Sequence, residues 1–175
     1  MLNKLKSELK GQYPPGCAKV LEEIEESFVF EMFDSQVAFS IGNLIVQISQ
    51  EYKEDVIVRI TRESDELPVF QYVGNSKSQR NIDFALAKRN TVLKTGHCSL
   101  WAMAQELTNG GLEEIFQENS NCLPVGGAFP IYLGKQLVAT IAVSGLRDGK
   151  DHKIIEDALC SYLNKKIPLF KGKLI

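Results

Sequence analysis

A tight hairpin signal around residue 134 constrains the fold of this chain more than any other feature. Residues 128–133 and 136–143 are two segments suited to β-strands, and only Gly134 and Lys135 separate them. Glycine at the first position of a two-residue loop is typical of a type II′ turn, which joins adjacent antiparallel strands. The segment therefore predicts a β-hairpin, and it favours an antiparallel sheet as the framework of the fold.

The pattern of apolar residues along the rest of the chain predicts both further strands and several helices. Residues 56–61 and 68–73 predict a second hairpin, while residues 28–33 predict another strand on a looser alternation. Apolar residues at helical spacing mark helices over 35–51, 82–94, 99–107 and 151–163. The sequence thus predicts an α+β fold, with an antiparallel sheet of about five strands and helices packed on it.

The length of the chain and its helix-breaking residues indicate one domain with an N-terminal extension. At 175 residues it suits one domain, since a globule of this size buries enough surface to fold without a disulfide or a structural metal. The spacing of apolar residues in 1–27 predicts an N-terminal helical extension. Proline and glycine residues at 11–16 break it into two segments. Residues 28–175 predict the single α+β domain.

Composition excludes several classes of function. The formal net charge is -2, which gives no excess of positive charge for a nucleic-acid backbone. No segment approaches the roughly 20 consecutive apolar residues that cross a bilayer, and no apolar core of signal length follows the N-terminal lysines. We therefore expect a cytoplasmic protein with neither nucleic-acid partners nor membrane insertion.

The cysteines give no sign of a metal site. All four are far apart, and none forms a C-x-x-C pair. Reduced thiols are expected in a cytoplasmic chain of this size. A zinc site would have to draw its ligands from separate elements, so no metal is predicted. These cysteines are Cys17, Cys98, Cys122 and Cys160.

Glycines and a serine flank the hairpin where its strands begin and end. Gly126 and Gly127 precede a strand, so they are not the nucleotide-binding fingerprint, in which glycines lie between a strand and a helix. Bare backbone at this point either admits a ligand or permits a bulge or a tight start to the strand. Ser144 and Gly145 follow the second strand.

The turn over 144–152 leads from that strand into the last helix. Its backbone N–H groups and the positive end of the helix suit a bound carboxylate or phosphate. Asp151 opposes such an anion, or it caps the helix and closes the turn. On an earlier helix, Lys88, Arg89 and Lys94 form a basic side that either supplies counter-charge to a ligand or is a solvated surface.

The chain has two histidines. His97 lies in a loop between two predicted helices, just before Ser99, and His152 lies in the first turn of the last helix. An imidazole could bind a metal or a haem iron, act as a general base, or serve only as a hydrogen-bonding group. No Gly-x-Ser-x-Gly elbow is present. Both histidines are therefore candidates for a catalytic or cofactor-binding role.

Four short motifs follow one another along the chain. They are Gly96-His97-Cys98-Ser99, Gly126-Gly127-Ala128-Phe129-Pro130, Val143-Ser144-Gly145-Leu146 and Asp151-His152. In this order they resemble the GlcG/HbpS-like "haem-degrading" domain family, which includes the C-terminal domain of the PduO cobalamin adenosyltransferases. The resemblance covers residues 28–165 and is closest to a small stand-alone branch. Phe84 and Ala87 depart from that branch, where a tryptophan and an arginine are common.

The resemblance implies a profilin-like, layered α/β/α fold and a homo-oligomer. It also implies haem or a related tetrapyrrole as a ligand. The axial ligand differs between subfamilies, so both histidines stay candidates for it. The cofactor-binding residues that we expect are Lys88, His97, Ser99, Gly126, Gly127, Ser144, Gly145, Asp151 and His152.

Three functions follow from these observations. The first is a cytosolic, oligomeric protein that binds a small ligand, with haem or a tetrapyrrole as the ligand to test. The second is an oligomeric scaffold, in which the N-terminal helices contact another protein or another subunit. The third is an enzyme that acts on a small carboxylate-bearing metabolite through a histidine base. Ligand binding ranks first, because the chain offers no complete catalytic constellation.

Overall fold

The computed structural model describes residues 2–175, which form six α-helices and four β-strands. The helices are α1 (Leu2–Leu9), α2 (Cys17–Ser27), α3 (Ser35–Ser49), α4 (Gln79–Thr95), α5 (Ser99–Thr108) and α6 (Lys150–Leu163). The strands are β1 (Ile57–Arg62), β2 (Leu67–Val73), β3 (Ala128–Leu133) and β4 (Gln136–Ser144). Two 3₁₀ turns, Glu113–Phe116 and Glu118–Ser120, lie between α5 and β3. None of the helices in this part of the chain is long and apolar enough to span a membrane.

The strands form one antiparallel sheet in the order β2-β1-β4-β3. The predicted hairpin between β3 and β4 is confirmed, with Leu133 opposite Gln136 and a φ of 59° at Gly134. The second predicted hairpin pairs β1 with β2. Strand β1 also pairs with β4 along its whole length, with Ile57 opposite Ser144. This long-range pairing makes β1 and β4 the two central strands.

The sheet has four strands and not about five, because residues 28–33 form no strand. The alternation that predicted a strand there reflects side-chain packing. Phe28 and Phe30 are 7% and 6% exposed, whereas Val29 between them is 67% exposed. Phe28 packs edge-on against Phe129, with ring centroids 5.6 Å apart, and Phe30 packs edge-on against Phe33 at 5.4 Å. An irregular segment that buries alternate aromatic rings gives the same sequence pattern as a half-buried strand.

Alternation along β4 builds the two faces of the sheet. Ile141 and Val143 lie in the main core, on the side where α3 and α6 pack together. Ala142 belongs to a separate small cluster with Ala128 and with Val92 of α4. Because neighbouring residues of a strand point to opposite faces, these clusters place helices on both sides of the sheet. The α+β fold class is confirmed, and its layers are helix, sheet and helix.

The N-terminal helices also contribute to the main core. Leu21 and Ile24 of α2 are 0% and 1% exposed, and α2 packs against α5. The apolar side chains of α2 are therefore covered by α5 and the main core of this chain.

The basic side of α4 is not a solvated surface. Lys88 and Arg89 are 4% and 8% exposed, and only Lys94 of the three basic residues is exposed. Arg89 donates two hydrogen bonds to the carboxylate of Glu63, at 3.0 Å and 2.5 Å, and a third to Glu66 at 3.0 Å. Lys88 is directed into the site described next.

Candidate functional site

Most of the residues predicted around the hairpin ends meet in a cleft of about 280 Å³. The cleft lies between α4, the end of β4 and the start of α6, and we call it the Lys88 cleft. The loop before β3 supplies one wall, and the turn after β4 supplies another. Five predicted residues line it, namely Lys88, Gly126, Ser144, Gly145 and Asp151.

A buried ion pair lies at the base of the Lys88 cleft. Lys88 Nζ donates to Asp151 Oδ2 at 2.7 Å and to the carbonyl oxygen of Val143 at 3.0 Å. Asp151 does not cap its own helix. Its carboxylate instead accepts hydrogen bonds from the backbone N–H groups of Leu146 at 2.9 Å and Gly145 at 3.4 Å. The carboxylate therefore occupies backbone donors of the turn that the sequence suggested for a bound anion.

The predicted glycines permit close packing around this pair. Gly127 has a φ of 118°, and a Cβ atom there would lie 2.6 Å from Lys88 Nζ and 2.7 Å from the Val143 carbonyl oxygen. Gly145, with a φ of 148°, would bring a Cβ atom within 3.0 Å of Val56 Cα. Backbone conformations of this kind favour glycine, because they disfavour residues with a side chain.

Ser99 and His152 lie outside the Lys88 cleft. The Ser99 hydroxyl donates to the Val125 carbonyl oxygen at 2.5 Å and accepts from the Ala128 N–H at 3.0 Å, so it fixes the start of β3. His152 is 0% exposed, and its Nε2 lies 3.1 Å from Glu156 Oε1. Its Nδ1 has no hydrogen-bond partner within residues 2–175. His152 is thus a core residue behind the wall of the cleft.

His97 lines a different cavity, of about 540 Å³, which we call the His97 cavity. The two linings share no residue. Nδ1 of His97 lies 2.7 Å from Glu25 Oε2, and its ring stacks on Trp101 with centroids 4.2 Å apart. The other oxygen of Glu25 accepts the N–H of Cys98 at 2.7 Å. Glu25 therefore fixes both the imidazole and the start of α5.

The pKa values of His97 and Cys98 are both raised, but for different physical reasons. The hydrogen bond that His97 donates to the Glu25 carboxylate raises the pKa of His97 above its ordinary value, against the opposing effect of burial. Burial raises the pKa of the Cys98 thiol well above its ordinary value. Cys98 is therefore a neutral thiol, which is a poor nucleophile.

Sequence reasoning missed Glu25 and Trp101. Glu25 is 72 residues from His97 in the chain, and no local pattern connects the two. Trp101 lies four residues after His97, which gave a weak signal for the stack.

The Glu25–His97 pair predicts a pH-dependent contribution to stability. Because the pKa of His97 is raised on folding, the charged pair stabilises the fold below the unfolded pKa of about 6.5, and this contribution is lost as the pH rises through the higher folded pKa. Glu25→Gln should lower the free energy of unfolding more at about pH 6 than at about pH 9. Urea unfolding at both pH values measures this difference.

The control is Glu23→Gln, which removes an exposed carboxylate from the same helix. It should show little dependence on pH. An equal loss for Glu25→Gln at the two pH values would show that His97 does not carry the charge.

Comparison with known proteins gives these features a family context. A family model described as "Haem degrading protein HbpS-like" matches residues 33–160. A UPF0303 protein of Pseudomonas entomophila is 32% identical over 145 residues, which cover 79% of this chain and 78% of that protein. A UPF0303 protein of Rhizobium etli is 28% identical over 150 residues, which cover 84% of this chain and 90% of that protein.

Solved structures share the fold. The crystal structure of the Ybr137w protein matches with a TM-score of 0.75 at 23% identity, over 84% of this chain and 87% of that chain. The crystal structure of a PduOC:Heme complex matches with a TM-score of 0.60 at 16% identity, over 74% of this chain and 94% of that chain. At these identities the likeness shows the fold alone. The family model, in contrast, spans most of the sequence, and the chain therefore belongs to the family described as "Haem degrading protein HbpS-like".

Proposed function

We propose that this protein binds a small ligand of the haem or tetrapyrrole class in the His97 cavity. One observation carries the proposal, namely that His97 lines an open cavity of about 540 Å³ while Glu25 holds its Nδ1 atom at 2.7 Å. Histidines that ligate metals usually donate a hydrogen bond from the second ring nitrogen to a carboxylate or carbonyl, which fixes the imidazole. Nε2 of His97 has no hydrogen-bond partner among the described residues, so it is free to act as the ligand atom.

One part of the wall of the His97 cavity is apolar and aromatic and suits the ring of a tetrapyrrole, while Glu25 and Glu26 line another part. Phe28, Val29, Phe30 and Tyr132 form the apolar part. Val29 is 67% exposed, so a ligand seated there would remove an apolar side chain from water. A haem iron would supply a coordination position for the imidazole. The stack on Trp101 would hold that imidazole in one orientation.

Two findings from relatives support the same ligand class. The matching family is described as haem degrading, and one structural neighbour was solved as a PduOC:Heme complex. The assignment of the iron ligand rests on this chain alone. His152 is the less suitable residue, because it is fully buried and Glu156 already contacts its Nε2 atom.

We also propose that the ligand-binding unit is a homo-oligomer. Strand β2 lies at an edge of the sheet, where Leu67 and Val73 are 53% and 43% exposed. Phe39 on the neighbouring helix α3 is 54% exposed. Contacts between subunits would cover apolar side chains of this kind. Native mass spectrometry measures the assembly.

Haemin titration tests the ligand. The wild-type protein should give a saturable shift of the Soret band, and His97→Ala should weaken binding by at least about 10-fold, because it removes the iron ligand. Glu25→Gln keeps the imidazole but loses the carboxylate that orients it, so it should weaken binding by about 10-fold. Absorbance at several haemin concentrations gives the dissociation constants.

The matched control is His152→Gln, which changes the other histidine and keeps a hydrogen-bonding side chain beside Glu156. Its titration should follow the wild type, provided that circular dichroism shows a folded protein. A Soret titration without saturation, or equal binding by His97→Ala and the wild type, would remove the proposal.

A further inference from the structure

The Lys88 cleft contains hydrogen-bond donors that lack acceptors. The Lys88 ammonium has three N–H groups. It uses one on Val143 and one on Asp151. The Ser144 hydroxyl has no hydrogen-bond partner in residues 2–175, and Asn81 uses only its side-chain oxygen, which accepts from the backbone. The buried polar side-chain atoms without a partner in residues 2–175 are Thr140 Oγ1 and His152 Nδ1, so the donors of this cleft reach solvent and are open to a ligand. The cleft therefore favours a ligand that brings acceptors.

The acceptors beside these donors are already engaged. Oδ1 of Asp151 accepts from Leu146, and Oδ2 accepts from Lys88 and Gly145. The Val143 carbonyl oxygen accepts from Lys88. A ligand whose only polar group is a donor would find no free partner at this ion pair.

We propose that the Lys88 cleft binds the carboxylate group of a small organic acid. Helix α6 begins at the cleft, and its N-cap residue Gly149 lines the cleft and contributes no side-chain cap. The N–H group of Lys150 donates to the carbonyl oxygen of Arg147, and this end of the helix carries a partial positive charge. Lys77 adds a full positive charge, with its Nζ 3.4 Å from the carbonyl oxygen of the lining residue Gly145. Both features favour an anion beside Lys88 and Ser144.

The remaining charge in the lining sets an upper limit on the charge of the ligand. Asp148 also lines the cleft, and Lys88 is already neutralised by its ion pair with Asp151. A second negative charge on the ligand would meet repulsion from Asp148. The cleft should therefore prefer a monocarboxylate to inorganic phosphate.

Apolar side chains form the rest of the wall. A cleft of about 280 Å³ with such a wall fits a short hydrocarbon tail next to the carboxylate. The apolar lining residues are Phe84, Leu123, Val125, Leu146 and Ile175. Since the His97 cavity contributes no residue here, the proposal is independent of haem binding.

Butyrate is a suitable probe, because it has one carboxylate and a short apolar tail. In ¹⁵N-labelled protein, butyrate should cause saturable shifts of the backbone amide signals of Gly126, Gly145 and Leu146. Ser144→Ala should raise the dissociation constant for butyrate by about fivefold, the effect of one hydrogen bond. Ser40→Ala is the control, since Ser40 is a half-buried residue of α3 outside the cleft lining, and its hydroxyl bonds only within its helix.

Two further probes separate the explanations. Butylamine has the same tail with a positive charge, and inorganic phosphate has a higher negative charge without a tail. Weaker shifts with both probes than with butyrate would support the proposal. It is overturned if butyrate gives no saturable shifts at these amides, if either probe binds as well as butyrate, or if Ser144→Ala binds butyrate like the wild type.

Discussion

Replacing Gly127 by alanine is expected to lower the free energy of unfolding by about 3–5 kcal/mol, the range found when a buried ion pair is broken. The new methyl group would lie 2.6 Å from Lys88 Nζ and 2.7 Å from the Val143 carbonyl oxygen. The carbonyl belongs to the central strand β4 and is fixed by the sheet. Lys88 would have to move away from the methyl group, which breaks its hydrogen bonds to Val143 and Asp151, and the backbone at residue 127 would have to shift away from the carbonyl oxygen. Urea unfolding followed by circular dichroism measures the loss.

A second glycine separates this effect from backbone strain. Gly110 has a φ of 74°, and a Cβ atom placed there would have no neighbour within 4 Å. Gly110→Ala should therefore cost only the strain of a left-handed residue, about 1–2 kcal/mol. If Gly127→Ala costs no more than Gly110→Ala, the ion pair does not depend on the bare backbone at Gly127.

The elements that could be predicted from the sequence are those that local rules determine. The turn at Gly134 and both hairpins depend on residues within a few positions of each other, and all were confirmed. The strand expected at residues 28–33 failed because alternation reports burial of every second side chain and not hydrogen bonding to a neighbour. A ladder partner lies elsewhere in the chain, and its presence cannot be deduced from the segment itself.

The site shows the same limit more strongly. Lys88 and Asp151 are 63 residues apart, and Arg89 and Glu63 are 26 residues apart, so the sequence could not show that the basic residues of α4 are buried and paired. The hairpin ends lie side by side in the sheet, and Gly126, Ser144 and Gly145 line one cleft together with Lys88 and Asp151. His97 was expected nearby, but its position depends on α2, which supplies Glu25.

The two candidate histidines lie in different environments, although both were predicted near the end of a helix. His152 faces the core from α6 and lies near Phe129, with ring centroids 5.8 Å apart. His97 lies at the end of a helix, where Gly96 adopts a φ of 75° and turns the chain towards the cavity. Helix termini leave side chains accessible more often than helix interiors do. This difference in accessibility separates the candidate ligand from the core residue.

Removing the charge of Lys88 should have an effect comparable to that of Gly127→Ala. Lys88 and Asp151 side chains are 5% and 7% exposed, so Lys88→Met would leave a buried carboxylate without its counter-ion. Such a change costs about 3–5 kcal/mol. Asp151→Asn alone should also destabilise the fold, because Lys88 would keep only the Val143 carbonyl and a neutral amide as partners. The double variant removes both charges, and it should be more stable than the sum of the single losses predicts, by about 1–3 kcal/mol.

An exposed ion pair in α6 provides the matched control. Lys153 and Asp157 also form an ion pair, but their side chains are 48% and 40% exposed. Lys153→Met should therefore change the free energy of unfolding by about 0.5 kcal/mol or less, since water screens the pair. Urea unfolding of the wild type, the Lys88 and Asp151 single variants, their double variant and this control gives the coupling energy directly. Additive losses in the double variant would mean that the contact between Lys88 and Asp151 does not stabilise the cleft, and that each residue acts through its other hydrogen bonds.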